Sequence, residues 1–231
     1  MTRAVTFTRE QLRAPFTLVL LIAVPVLFVV SAAGTLHDFA KALGGSLAGD
    51  AAVAMSAGWA AAFLSGALGF FEAASSRGAD RRLALAGLGP AKVALSRIVA
   101  SIALATVAAV AAFVALELRG GVAHPWHAAV AVLAFAWLYL GIGVLVGSLV
   151  TDPLQGSLIV VFAFILDVFS GPGMGAAAAP WAVSRQAADV LIAAGQGQGS
   201  SGAEWTGLIV TTAAALLVAF TVFALSARRR S

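Results

Sequence analysis

Residues that could carry out chemistry are sparse in this sequence. The chain has no cysteine, which excludes disulfides, thiolate nucleophiles and cysteine-based metal sites. Its histidines, His37, His124 and His127, lack the spacing of metal ligands, and we interpret the last two as membrane-edge residues flanking Trp126. No GxxxxGK[ST] motif is present, so the chain has no P-loop for ATP. The sequence therefore predicts no catalytic residue, no metal and no cofactor on this chain.

Asp167 is the acidic residue that lies well inside a long apolar run. An ionised carboxylate at the centre of a membrane helix costs about 2.5–3.5 kcal/mol on insertion scales, which makes such a residue a candidate for function. Two interpretations are open. Asp167 lines a substrate or proton path, or it lies in a water-filled outer vestibule, because a helix break at Gly171 follows shortly after it.

The elements that must position Asp167 are six long apolar segments. The chain is 61% hydrophobic and 10% charged, which is not the composition of an ordinary soluble domain. Each segment has roughly the 17–25 residues that a helix needs to cross a hydrocarbon core of about 30 Å. The predicted spans are 16–34, 53–71, 98–116, 126–147, 155–171 and 207–226. We expect an all-α polytopic membrane protein in which residues 1–231 form a single transmembrane domain.

Basic residues predict the orientation of these spans. If both termini are cytoplasmic, eleven of the 14 basic residues lie inside and only Lys41, Arg119 and Arg185 lie outside. Short-loop Lys and Arg residues favour the cytoplasmic side, so this distribution supports cytoplasmic termini. The basic residues are spread over membrane-flanking loops, which favours contact with anionic lipids over binding of a nucleic acid.

The segment before the first span is basic and ends at Pro15. We expect a short helix along the inner leaflet, with a disordered basic tail as the alternative. Arg3, Arg9 and Arg13 before an apolar run also resemble a signal peptide, but we interpret the run as an uncleaved first span.

The cytoplasmic loop 72–97 is the longest segment predicted on the inner side. It begins at Glu72, and after Arg81 and Arg82 it continues through Leu83, Leu85 and Leu88 to Gly89 and Pro90. Leu85 and Leu88 share one helical face, opposite most of the charge, which predicts a short amphipathic helix closed by the Gly-Pro pair.

On the outer side, the region 171–206 follows the fifth span. Glycines and Pro172 predict a helix break, and a short interfacial or re-entrant helix is expected after Pro180 and Trp181. Its apolar face is predicted from Val183, Ala187, Val190, Leu191 and Ala194, with Arg185 and Asp189 paired on another face. At the inner turn before the fifth span, Asp152 and Pro153 predict a helix cap.

Small residues recur at helical spacing on two of the spans. The fourth span carries Gly141, Gly143 and Gly147, and the second carries Ser65, Gly66 and Gly69. Such faces let helices approach closely in lipid. They indicate either packing within the chain or a face for a second copy.

Together these parts resemble the type-2 ABC transporter permeases, the membrane subunits of many bacterial exporters. The resemblance covers essentially the whole chain. It follows four features in order: the segment REQLRAP at 9–15, the loop 71–97, the turn SLVTDP at 148–153, and the FSGPG break with its Pro-Trp helix at 169–181. In the loop, the family has an acidic residue, a glycine, a leucine, a proline and a basic residue in this order. The residues at comparable positions here are Glu72, Gly78, Leu83, Pro90 and Arg97.

The resemblance implies a permease subunit of the bacterial cytoplasmic membrane that moves a hydrophobic or amphiphilic substrate such as a drug, antibiotic or lipid. It implies assembly with a second permease copy and with cytoplasmic ABC ATPase subunits, which bind ATP and Mg²⁺ and dock on loop 72–97. The alternatives are a stand-alone secondary transporter, for which Asp167 is the candidate ionisable group, and a regulatory membrane subunit that transports nothing.

Overall fold

The computed structural model describes residues 15–47, 49–75, 90–175 and 177–228. Regular structure in these ranges is helical. The helices are α1 (Pro15–Ala42), α2 (Gly49–Ser75), α3 (Pro90–Arg119), α4 (Pro125–Leu149), α5 (Pro153–Ser170), α6 (Arg185–Gly195) and α7 (Gly202–Arg228). All except α6 are long and apolar enough to cross a membrane. The protein is therefore an all-α, multi-pass membrane protein, as its apolar segments predict.

Local sequence signals determine where several helices begin. Four helices start at a proline, whose missing N–H costs no intrahelical hydrogen bond at that position: Pro15, Pro90, Pro125 and Pro153. The predicted cap of α5 is confirmed, because Asp152 Oδ1 accepts a hydrogen bond from the Leu154 N–H at 2.8 Å. At the start of α7, Ser201 and Glu204 form a capping box in which each backbone N–H donates to the other side chain.

The first span is longer than predicted. Helix α1 runs through Gly34, where the apolar segment ends, and continues to Ala42. The segment 35–52, which the predicted spans leave as a loop, is therefore reduced to the short connection between Ala42 and Gly49. The added turns carry Asp38 and Lys41, which are polar residues that a helix can accommodate once it leaves the hydrocarbon core.

Helices α2 and α4 form the centre of the molecule. They make the most extensive contact of any helix pair, and the other helices surround them. Helices α1 and α3 pack beside α2, α7 packs on α4, and α5 contacts α2 more than α4. The short helix α6 packs against both central helices at one end. We call this the outer end, following the orientation that the basic residues predict.

Glycines bring the two central helices close together. A Cβ atom at Gly143 would clash with the Gly66 carbonyl oxygen, and one at Gly147 would lie 2.6 Å from the Phe70 carbonyl oxygen. Both small-residue stripes therefore take part in packing within the chain, which is one of the two roles their spacing predicts. Gly141 belongs to a different face and meets Ala215 of α7.

Candidate functional site

The outer end of α5 is covered by the chain that leads into α6. After Ser170 the helix stops, and residues 171–175 and 177–184 form turns and irregular chain that lead into α6. Gly173, at φ +80°, accepts hydrogen bonds through its carbonyl oxygen from the N–H groups of Ser46 and Leu47, both at 3.0 Å. A positive φ is readily accessible to glycine, so Gly173 permits the turn that joins this segment to the α1–α2 connection.

Asp167 lies at the centre of this covered region. The Tyr139 hydroxyl of α4 donates a hydrogen bond to Asp167 Oδ2 at 2.6 Å. The Ser184 backbone N–H, directly before α6, donates to Asp167 Oδ1 at 3.3 Å. One carboxyl group of α5 thus bonds to a second membrane helix and to the segment that covers the outer end.

Burial distinguishes this arrangement from a water-filled vestibule. Asp167 is 4% exposed and Tyr139 is 1% exposed. The vestibule interpretation of Asp167 is therefore wrong, because the side chain points into the protein and its two oxygens have protein donors. An apolar interior cannot solvate a carboxylate, so these donors take over the role of water.

An aromatic row connects this carboxyl site to the surface of the bundle. The Tyr139 ring packs edge-on against Phe164 of α5 at a centroid distance of 5.7 Å. Phe164 in turn contacts Phe63 of α2 at 5.3 Å. The row holds the Tyr139 ring in place, and Phe63 at its end is exposed.

Asp167 is conspicuous in the sequence, but neither of its donors was predicted. Tyr139 is the single tyrosine of the chain and lies in an apolar span, where a hydroxyl needs a partner. That pattern could have suggested a tyrosine–carboxylate pair. Ser184 contributes a backbone N–H, and no side-chain pattern reveals such a donor.

The short helix predicted after the fifth span is confirmed in its buried face and corrected at its start. Ala187, Val190, Leu191 and Ala194 are buried, as predicted. Val183 is 43% exposed, because the helix begins only at Arg185 and the preceding residues form turns.

The predicted charge pair on this helix is present. Arg185 Nε lies 3.9 Å from Asp189 Oδ2, one helical turn away. Burial raises the pKa of the Asp189 carboxyl, and the Arg185 charge opposes that rise. A partly exposed pair of this kind contributes little to stability, so it orients side chains more than it holds α6 in place.

At the opposite, inner end, an ion pair joins the two helices that flank the cytoplasmic loop. Arg97 Nη1 of α3 donates to Glu72 Oε1 of α2 at 2.7 Å. The side chains are 11% and 17% exposed, respectively. The first and last residues of loop 72–97 are thereby brought together beside the bundle.

Most of the predicted coupling residues lie outside the described residues. These are Gly78, Arg81, Arg82, Leu83, Leu85 and Leu88. Of the remaining three, Glu72 belongs to the last turns of α2, Pro90 is the first residue of α3, and Arg97 lies two turns further along α3. Their assignment to an ATPase-docking loop stays a prediction.

The histidines lie at the outer end, where two of them contact other parts of the protein. His37 Nδ1 is 3.0 Å from the Leu47 carbonyl oxygen, and the His127 ring packs against Trp205 at a centroid distance of 5.1 Å. Among the residues that the structure describes, no group of three or more potential ligands could hold a metal ion.

Comparisons of the chain with protein-family models, with curated proteins and with solved structures found no match.

Proposed function

We propose that this chain is the permease subunit of an ATP-driven ABC exporter in the bacterial cytoplasmic membrane. A second permease copy and two cytoplasmic ATPase subunits complete the transporter, and the ATPases bind ATP and Mg²⁺. The substrate is a hydrophobic or amphiphilic molecule such as a drug, an antibiotic or a lipid. The six membrane-crossing helices and the resemblance of the whole chain to type-2 permeases support this proposal.

The observation that carries the proposal is the Glu72–Arg97 ion pair. It joins the last turn of α2 to the early part of α3, on both sides of the proposed docking loop, at an N–O distance of 2.7 Å. Because α2 is the most buried span of the bundle, a displacement of this joint is transmitted to the centre of the molecule. An ATPase that moves the loop would therefore move α2 and α3 together.

In this mechanism the chain has two states, and the ATPases supply the energy that favours one over the other. Closure of the ATPases on ATP displaces loop 72–97. Helices α2 and α4 follow as one unit, and the weakly packed spans rearrange around them to open a path for the substrate.

The direct test is copurification of the chain with its genomic neighbours. We expect an ATPase chain to copurify with the wild type and to be lost from Leu85→Asp, because the substitution places a charge on the apolar face predicted to dock. Gly199→Asp is the matched control, since it adds the same charge at an exposed outer position with open space around it. It should retain the ATPase.

Two results would contradict the proposal at different levels. Retention of the ATPase by an inserted, folded Leu85→Asp chain would remove the docking assignment only. Absence of any ATPase partner for the wild type would remove the exporter function itself, and would favour the secondary transporter or the regulatory subunit.

A further inference from the structure

We propose that Tyr139, Asp167 and Ser184 form an outer latch, which holds α5 against the scaffold and must open when the outer end of the permease rearranges. The latch itself is a property of this chain, whereas its part in transport rests on the proposed function. Asp167 is then a positioning residue for α5 and does not line a substrate or proton path.

Helix α5 makes only a narrow contact with the bundle along the rest of its length. Its inward stripe consists of Gly156, Val160, Phe164, Asp167 and Val168, at helical spacing. The remaining faces expose large apolar side chains, including Phe162 and Leu158. Because a single stripe holds α5 against the bundle, the position of α5 depends strongly on each contact in that stripe.

Three elements meet at Asp167. Its two carboxyl oxygens bond to different partners, so a single side chain of α5 holds α4 and the start of α6 at once. Helix α6 is itself packed on α2 and α4. The latch therefore connects the outer end of the loosely packed helix to the most rigid part of the molecule.

Opening the latch has a free-energy cost. Movement of α5 away from α4 separates Asp167 from the Tyr139 hydroxyl, and lifting of residues 177–184 removes the Ser184 N–H. Either step leaves a carboxyl oxygen in an apolar interior without its donor, which is unfavourable. The closed state is therefore favoured until another source of energy drives the separation.

The absence of cysteine makes the latch directly measurable. Ala182 is 5% exposed and lies two residues before Ser184 in the covering segment. Ala182→Cys introduces the only thiol of the chain. Its rate of reaction with a polar maleimide, measured on the full chain in open membrane fragments, reports how often the segment lifts. Gly199→Cys, at an exposed position, gives the rate for a freely accessible thiol.

Tyr139→Phe removes the donating hydroxyl and keeps the ring that packs on Phe164. We expect the Ala182→Cys thiol to react about three- to twenty-fold faster in this background, the range expected for one interhelical hydrogen bond in a membrane protein. Asp167→Asn should also raise the rate, because its amide nitrogen cannot accept a hydrogen bond.

Thr106→Val is the matched control. It removes the acceptor of another interhelical hydrogen bond, from Trp137 Nε1 of α4 at 3.1 Å, by a substitution of equal size. Its melting temperature should fall by about as much as that of Tyr139→Phe, while the Ala182→Cys rate stays at the wild-type value. A purely structural role for Tyr139 would give the two variants the same labelling rate.

The proposal is overturned if folded Tyr139→Phe labels at the wild-type rate. Should Asp167→Asn fail to fold, the comparison of Tyr139→Phe with Thr106→Val decides alone. A loss of transport by Asp167→Asn with unchanged labelling would instead identify Asp167 as a pathway residue. The labelling and melting measurements need no ATPase, so a failed latch is distinguishable from a failed exporter assignment.

Discussion

Helices α2 and α5 both cross the membrane, yet they are held in different ways. In the most apolar window of α2, 72% of the residues are buried, compared with 22% in that of α5. Helix α2 is joined to α4 by glycines that bring the two backbones into contact. Helix α5 is joined to the same pair by a single stripe and by the hydrogen bonds of Asp167.

The difference indicates which parts of the bundle move together. Backbone contact between α2 and α4 leaves no room for either helix to slide without separating the pair, because a packed interior does not deform continuously. Side chains of α5 rest on this surface and can rearrange by changing rotamer. We therefore expect α2 and α4 to move as one body, with α5 as the element that changes position relative to them.

The largest effect is expected from Gly143→Ala. The added Cβ would clash with the Gly66 carbonyl oxygen, and no rotamer change relieves a contact with backbone. The substitution should lower the free energy of unfolding by about 3 kcal/mol or more. This is measurable as a large fall in melting temperature or in the yield of folded protein in detergent.

Gly34→Ala is the control for that prediction. Gly34 lies in α1 and is exposed, and a Cβ added there would meet no atom within 4 Å. Replacing a helical glycine of this kind should leave stability unchanged or raise it by about 0.5–1 kcal/mol. If Gly143→Ala is as stable as Gly34→Ala, backbone contact does not hold α2 to α4. The proposed difference between the packing of α2 and that of α5 would then be wrong.

The next largest effect is expected at the Glu72–Arg97 ion pair, which joins α2 to α3 at the inner end. Arg97→Glu places two carboxylates together where a charge-assisted hydrogen bond now lies, and should cost about 2–3 kcal/mol. The exchanged pair Glu72→Arg with Arg97→Glu restores opposite charges and should recover most of the lost stability. In the complete transporter, the single variant should also lower substrate-stimulated ATP hydrolysis.

Failure of the exchanged pair to recover would show that attraction between these two charges is not what holds α2 to α3. Recovery of stability without recovery of ATPase stimulation would separate the two roles. The pair would then hold the fold together and play no part in coupling.

Local signals in the sequence predicted much of this architecture. The cap at Asp152 and the buried face of α6 depend on neighbours within a few residues, so the pattern alone indicated them. The predicted end of α1 was wrong because apolarity marks where the membrane ends, whereas a helix also continues through polar residues such as Asp38.

The candidate site was less accessible to sequence reasoning. Asp167 stood out because a carboxylate is costly in an apolar run, but its partner depends on how far α4 and α5 are shifted along each other. That register is a property of tertiary packing. The position of Tyr139 within its own span does not reveal it, and the Ser184 N–H becomes a donor only because the chain turns back over the outer end.

The smallest effect is expected from Gly156→Ala, which tests the comparison from the side of α5. A Cβ at Gly156 would also clash, but with the ring edge of Phe70, a side chain, and not with backbone. The weakly held helix can yield, and alanine gains about 1 kcal/mol of helix propensity over glycine. We expect a net loss of about 1 kcal/mol or less, well below that of Gly143→Ala measured by the same thermal unfolding. Because Phe70 is fully buried, the adjustment has to come largely from α5, whose exposed faces leave it free to shift outward. Equal losses for the two alanine variants would mean that α5 is as firmly packed as the central pair and moves with it.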